Sequence, residues 1–259
     1  MTIFQAFILG IVEGITEFLP VSSTGHMILV GRLLHLPQTE FLKSFEIIIQ
    51  LGAILAIVFL YWKRLIMDKA VSLKVFVSFL PTAVLGLLLY KIIKKYFMGN
   101  DMIVVGTLIA GGVILIIFEK FLDEKKLKIS QIKEISYPQA AAIGIFQSLA
   151  FVPGVSRSAA TIVGGLLQGI KREVIVEYSF LLAVPTMFAA TGLDLMKNAS
   201  HIDPDQFVLL GVGFLTSFCV ALATVQFLVR YVKTHNFISF GIYRIVVGVF
   251  FFLKLKGIL

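Results

Sequence analysis

Three features of the chain predict an all-α polytopic membrane protein with an inverted-topology internal repeat. Its residues are 58% hydrophobic, with a mean hydropathy of +0.97, too apolar for a soluble domain of 259 residues. Six stretches are long and apolar enough to span a bilayer. Two further apolar regions are broken by polar residues and read as copies of one another about 134 residues apart. Gly10, Glu13, Pro20 and Ser22 of the first are answered in order by Gly144, Gln147, Pro153 and Ser156 of the second, the prolines after a one-residue gap. Paired, interrupted hydrophobic segments are the sequence sign of a binding site between two repeats in the membrane.

The elements follow from these patterns. The first broken region, about 2–34, is expected to be a re-entrant helix–loop–helix hairpin. Pro20 stops one helix and the serines after it can cap the next. Each arm is roughly 12–18 residues, short for a span of about 20. Spans are expected at 44–62, 71–90 and 102–119. A second hairpin, about 138–168, breaks at Pro153, and spans at 174–194, 207–229 and 237–253 complete the chain. The chain then forms a single integral membrane domain with repeat halves of about 1–125 and 135–259. A non-helical tip at membrane depth requires burial in protein or a wet cavity. Pro81 and Pro185 are expected to kink their spans. Gly106, Gly111, Gly112, Gly164 and Gly165 are expected to allow close helix packing. Cys219, the single cysteine, is expected in the core and excludes an intramolecular disulfide.

Loop charge orients the chain. Segment 120–133 carries Lys120, Lys125, Lys126, Lys128 and Lys133 and is assigned to the cytoplasm. Lys63, Arg64, Lys69, Lys171, Arg172, Arg230 and Lys233 fall on the same side by counting spans. Loop 197–206 and both termini fall outside, and the loop with Lys91, Lys94 and Lys95 is the exception to the charge rule. Three spans per half is an odd number, so the second half must be inverted and the two tips can meet near the midplane. The net charge of +8 therefore reads as loops facing anionic lipid, not as a nucleic-acid footprint. The start lacks a basic n-region, and Glu13 and Glu17 interrupt its apolar run, so no signal peptide is expected.

Candidate chemistry concentrates in the two broken regions. Glu13 and Glu17 are four apart, on one helix face, where two carboxylates call for a proton or a bridging cation. Ser22, Ser23 and Thr24 occupy the turn and cap of a helix whose N-terminus suits phosphate. His26 follows, able to serve as nucleophile or as general acid/base with Glu17 orienting its ring. In the second region, Arg157 needs an anionic partner and presents a fork that fits phosphate oxygens. Ser156, Ser158 and Thr161 add hydroxyls, and Gly154 lets backbone approach closely. Glu46 and Gln50 are secondary candidates for the same cavity, and Glu177, Asp194 and Arg244 are expected to pair between helices or lie at the interface. No Walker loop, zinc spacing or dinucleotide fingerprint occurs. The constellation suits an anionic, phosphate-bearing lipid headgroup, and leaves hydrolysis and transport both open.

The motifs Glu13-Gly-Ile-Thr-Glu17-Phe-Leu-Pro-Val-Ser-Ser-Thr-Gly-His26 and Pro153-Gly-Val-Ser-Arg157-Ser-Ala-Ala-Thr161 resemble the two signatures of the bacterial undecaprenyl-diphosphate phosphatases, also called bacitracin-resistance proteins. The likeness extends to Phe45-Glu46-Ile-Ile-Ile-Gln50-Leu-Gly and Tyr178-Ser-Phe-Leu-Leu-Ala-Val-Pro185. One departure is Ala159, where the family's second motif usually has Gly. The resemblance implies hydrolysis of undecaprenyl diphosphate to undecaprenyl phosphate and inorganic phosphate. That reaction recycles the lipid carrier of peptidoglycan synthesis and confers bacitracin resistance. It implies dependence on Mg²⁺ or Ca²⁺, a location in the bacterial cytoplasmic membrane and an active site facing outside. In that reading Glu17, His26, Arg157 and Ser23 are catalytic. Ser22, Gly154, Ser156, Ser158 and Thr161 hold the diphosphate, and Glu13 and Glu17 bind the cation. Whether His26 attacks phosphorus or activates Ser23 is left open, as is a homodimer. A lipid transporter is the rival reading, because interrupted helices in inverted repeats also build transporters.

Overall fold

The structure is a computed structural model that describes residues 1–97, 100–198 and 206–258. Its described residues are helical, with no strand beyond one isolated bridge, Ile129 to Ile170. Two short helices, α1 (Ile3–Thr16) and α2 (Ser23–Leu33), precede three long ones, α3 (Glu40–Ile66), α4 (Lys69–Tyr96) and α5 (Asp101–Phe121). The order then repeats with α6 (Tyr137–Gln147), α7 (Arg157–Leu166), α8 (Arg172–Asn198), α9 (Phe207–Tyr231) and α10 (Ile238–Leu255). Side-chain caps fix most starts. Thr2 and Gln5 form a capping box on α1, and Ser136 and Gln139 form one on α6. Thr39 caps α3 and Asn100 caps α5. Ser22 and Ser156, equivalent in the repeat, cap α2 and α7, as their sequence positions predict.

Six described helices, α3, α4, α5, α8, α9 and α10, are long and apolar enough to cross a membrane, at the six expected places. Helices α1, α2, α6 and α7 have 14, 11, 11 and 10 residues. At about 1.5 Å per residue none of these reaches the roughly 30 Å of a hydrocarbon core. Many large apolar side chains face outward, including Phe59, Leu87, Leu88, Ile114, Phe121, Leu215 and Val246, as lipid contact requires.

The packing crosses between halves. Helix α1 lies along α9, and its counterpart α6 lies along α4. Helices α3 and α8 pack on each other, and so do α5 and α10. The repeat's shared glycines permit this closeness. A Cβ on Gly10 would lie 2.7 Å from the Gly213 carbonyl oxygen, and one on Gly144 only 1.9 Å from that of Ser78. Phe18, Tyr178 and Phe180 fill the centre, with Phe18 edge-on to Phe180 at 5.4 Å. At the lysine-rich end, Arg172 pairs with Glu119 and, at 2.6 Å, with Glu124. Glu119 also accepts the Phe237 N–H at 3.1 Å, tying α5, α8 and the α9–α10 turn together.

Some expectations change. Cys219 is exposed on the outer side of α9 rather than in the core, where a small apolar side chain meets lipid at no cost. A Cβ on Gly106 would meet nothing within 4 Å, so no neighbour requires glycine there. Gly112, Gly164 and Gly165 are, against Gly241, Phe146 and Ile175. Pro81 and Pro185 sit inside α4 and α8, whereas the interior non-helical dihedrals of α3 belong to Tyr61. Glu177 pairs with Arg64 between α8 and α3. The Asp194 side chain, those of Lys91, Lys94 and Lys95, and most of loop 197–206 lie outside the described residues.

Candidate active site

Each broken segment ends in a polar tip, and the two tips meet. The first begins at Glu17, the C-cap of α1, whose N–H donates to the Glu13 carbonyl at 2.9 Å. The chain turns through Pro20 to Ser22, which takes a left-handed φ of 74°. A non-glycine residue held there stores strain of order 1–3 kcal/mol, a cost that clusters at functional sites. Its hydroxyl accepts from Gly25 N–H at 3.3 Å and starts α2. In the second tip, a 3-10 turn over Ser148–Phe151 leads to Pro153 and Gly154. Gly154 has φ 86°, and a Cβ there would lie 2.0 Å from Thr107 Oγ1, so only glycine fits. Ser156 then accepts from Ala159 N–H at 3.2 Å and starts α7 with Arg157 as its first residue. Ala159, where the second motif of the resembled family usually has Gly, is buried in this helix.

An ion pair joins the tips. Arg157 Nη2 donates to Glu17 Oε1 at 2.8 Å, with the two side chains 12% and 4% exposed. Arg157 Nη1 donates to the Ser179 carbonyl at 2.9 Å, and the guanidinium carbon sits 5.8 Å from the Phe18 ring centre. The other Glu17 oxygen accepts from the Ser23 hydroxyl. One carboxylate thus touches both the arginine of the second half and a serine of the first. Ser158 Oγ donates to the Phe18 carbonyl at 2.8 Å and Ser156 Oγ to that of Leu19 at 3.5 Å. Thr161 Oγ1 donates back to the Arg157 carbonyl at 2.9 Å. The hydroxyls of the second tip therefore brace the tips in this state.

Three buried groups around the tips keep unpartnered atoms. They are both oxygens of the Glu13 carboxylate, Nε of Arg157 and Oε1 of Gln147. Gln147, the counterpart of Glu13, instead donates to Thr82 at 3.0 Å and Thr186 at 3.1 Å. The repeat is thus chemically asymmetric: one half carries an unpartnered acid where the other carries an anchored amide. Glu46 lies near enough to interact electrostatically with Glu13, and Gln50 is half-buried on the same helix.

His26 is placed differently from expectation. Its ring is not oriented by Glu17. Nδ1 lies 2.8 Å from the Ser22 carbonyl and Nε2 lies 2.9 Å from the Tyr243 hydroxyl. A carbonyl only accepts, so Nδ1 carries the proton and the neutral ring's Nε2 accepts from Tyr243. The two rings stack with centres 5.5 Å apart and planes 3° from parallel. Tyr243, Ser179 and Thr107 were not singled out in the sequence. Only their positions within apolar spans hinted at them.

Among the described residues no group of three or more His, Cys, Asp or Glu side chains could hold a metal ion. Glu17 is engaged on both oxygens, so the free donor set is Glu13, with Glu17 one turn on. These are hard oxygen donors. Such a pair suits Mg²⁺ or Ca²⁺, which commonly take one or two carboxylates and complete their shell from phosphate and water.

Comparison with known proteins bears on this geometry. The family model described as bacitracin resistance protein BacA matches residues 6–250. An undecaprenyl-diphosphatase of Sulfurihydrogenibium sp. is 51% identical over 253 residues, covering 98% of this chain and 99% of that protein. One from Aquifex aeolicus is 50% identical over 248 residues, 96% of each chain. One from Campylobacter jejuni is 49% identical over 256 residues, 98% of this chain and 95% of that protein.

Proposed function

Because the chain belongs to the bacitracin resistance protein BacA family, we propose that it hydrolyses undecaprenyl diphosphate to undecaprenyl phosphate and inorganic phosphate. The observation that carries the chemistry is the Glu17 carboxylate held between Arg157 and the Ser23 hydroxyl. Glu17 accepts the Ser23 proton as Ser23 Oγ attacks the terminal phosphorus. The bond from that phosphorus to the bridging oxygen breaks, and undecaprenyl phosphate leaves. Water then attacks the phosphoserine, frees inorganic phosphate and restores the Ser23 hydroxyl. Arg157 follows the developing charge, its unpartnered Nε directed to a phosphate oxygen, because fixed donors in a dry site stabilise charge more than water does. His26 serves the second step. Its Nε2, the nitrogen without a proton, is the other base of the site. Ser23 is preferred to His26 as nucleophile because Ser23 donates to the Glu17 carboxylate, which can take its proton.

Glu13, with Glu17 beside it, would hold the divalent cation, Mg²⁺ or Ca²⁺. When bound, the cation neutralises diphosphate charge and draws the headgroup to the tips. Ser22, Gly154, Ser156, Ser158 and Thr161 are assigned to shaping the headgroup site, through the caps and braces they form. The undecaprenyl tail lies on the apolar outer faces, where each buried CH₂ contributes about 0.8 kcal/mol.

We assign α1–α2 and α6–α7 to re-entrant hairpins of an inverted repeat. Their short lengths and the exchange of α1 onto α9 and α6 onto α4 support this. The site would open outward from the bacterial cytoplasmic membrane, serving carrier recycling in peptidoglycan synthesis and bacitracin resistance.

The test is phosphate release from undecaprenyl diphosphate by purified protein in detergent, with and without Mg²⁺ or Ca²⁺, beside Glu17→Ala and Ser23→Ala. Cation-dependent release lost in both variants supports the reading. Full turnover by Ser23→Ala removes Ser23 as nucleophile. No release from folded wild-type protein turns the reading to lipid translocation, measured in vesicles.

A further inference from the structure

Helix α10 brings a second arginine to the tips, one that neither motif contains. Arg244 is 1% exposed, the largest fully buried side chain described. Its partners are all backbone carbonyls. Nη1 donates to Pro20 at 3.3 Å, and Nη2 donates to Gly154 and to Thr107, each at 3.1 Å. Nε donates to Leu108 at 3.4 Å. No carboxylate among the described residues pairs with it. A buried cation without a counter-ion is costly inside a membrane, and such residues are functional by default.

The identity of the carbonyls supplies the function. Pro20 belongs to the first tip, three residues after Glu17, and Gly154 to the second, three residues before Arg157. Thr107 and Leu108 belong to α5, and Thr107 also donates to the Pro153 carbonyl at 2.7 Å. A single guanidinium therefore spans both tips and fixes them to one spanning helix. Gly111 makes the room: a Cβ there would lie 2.2 Å from Arg244 Nη2 and 2.8 Å from its Cζ. A planar fork with five donors can satisfy four carbonyls from three directions, which an ammonium cannot.

Resting on the phosphatase reading above, we infer that Arg244 is a positioning residue for phosphoryl transfer: it clamps the tip that carries Glu17 and Ser23 against the tip that carries Arg157. It acts through those residues and touches no reacting atom. Without it the tips keep the Glu17–Arg157 pair but lose their fixed offset, so headgroup capture survives and in-line attack does not.

Three variants test this: Arg244→Lys, Arg244→Ala and Gly111→Ala, the last keeping the arginine and pushing its fork aside. Each is first checked for monodispersity and thermal stability. Turnover is then measured across lipid concentrations, and amide hydrogen exchange is followed by mass spectrometry. The clamp predicts a fall in kcat on the order of 10²-fold in both Arg244 variants, as expected when positioning is lost, with KM close to wild type. Gly111→Ala moves the same way. Exchange accelerates together in peptides covering 17–25 and 153–158, and stays unchanged in α3 and α8. Added guanidinium ion restores part of the turnover of Arg244→Ala.

Wild-type kcat in Arg244→Lys would overturn the clamp, because the charge alone would then suffice. Faster exchange throughout the protein, or in neither tip, would also overturn it, leaving a general packing role. The exchange readout needs no activity. If wild-type protein releases no phosphate, the phosphatase reading fails while exchange still decides the clamp.

Discussion

Replacing Arg157 by lysine keeps the charge and removes the fork. In the structure the guanidinium makes two bonds at once, Nη2 to Glu17 at 2.8 Å and Nη1 to the Ser179 carbonyl at 2.9 Å. One ammonium on a flexible stem can follow the carboxylate or the carbonyl, and it has no planar Nε donor to offer phosphate. With side chains only 12% and 4% exposed, little solvent is present to make up the loss. A hydrogen bond to a charged group contributes about 1.5–3 kcal/mol. Losing one in the transition state lowers kcat/KM by roughly ten- to 150-fold. The assay is initial-rate phosphate release over a range of lipid concentrations for wild type, Arg157→Lys, Glu17→Gln and the double variant. The double variant should lose less than the product of the two single losses, because both break one contact. A folded Arg157→Lys with kcat/KM indistinguishable from wild type would refute the argument that the fork, and not the charge, is what the site uses.

The crossed packing makes a stability prediction. Gly144→Ala forces a methyl against the Ser78 carbonyl, 1.9 Å away, and should lower thermal stability by about 1–3 kcal/mol or block folding. Gly106→Ala, with nothing within 4 Å, should be neutral or stabilise by up to about 1 kcal/mol through helix propensity. Thermal denaturation in detergent compares the two, and equal effects would show that the α6–α4 contact does not constrain the fold. Glu13→Gln removes the unpartnered carboxylate. It should raise the half-saturating Mg²⁺ concentration for turnover by at least roughly tenfold, the lower end of what losing even an outer-shell partner costs. The melting temperature should hold or rise, since an ionisable carboxyl buried without a partner costs more than a neutral amide in the same place. An unchanged Mg²⁺ response would remove Glu13 from the cation site.

Much of the site was legible because its residues are anomalies in their surroundings. Glu17, Arg157 and the serines stand out as polar clusters inside apolar segments, and Ser22 and Ser156 sit where a proline-broken helix must restart. The repeat could be read from Gly10 and Gly144 because backbone contact leaves those positions no alternative residue. For His26 the structure gives other partners than the spacing suggested. Spacing along the chain put Glu17 nearby, while the hydrogen bonds go to Ser22 and Tyr243. Thr161 matched the motif, yet its hydroxyl folds back on its own helix. The lipid-facing place of Cys219 was not legible, because an apolar span looks the same on its inner and outer sides when the solvent is itself apolar.

The sequence by itself determined the class, the six spans, the two broken segments and the need of Arg157 for an anionic partner, which the structure supplies as Glu17. These follow from hydropathy, proline and the cost of isolated charge, all of which act locally or through composition. The tertiary structure alone decided that α1 lies on α9 and α6 on α4, that Ser23 shares the Glu17 carboxylate, and that Tyr243 and Arg244 of α10 complete the tips. Those contacts join residues from 62 positions apart, Thr82 and Gly144, to 224, Pro20 and Arg244, or turn on which hydroxyl points at which oxygen. Nothing in a chain's pattern encodes such a choice, because between apolar helices many packings have similar hydropathy. Glycine contacts and hydrogen bonds at a few buried atoms select one of them.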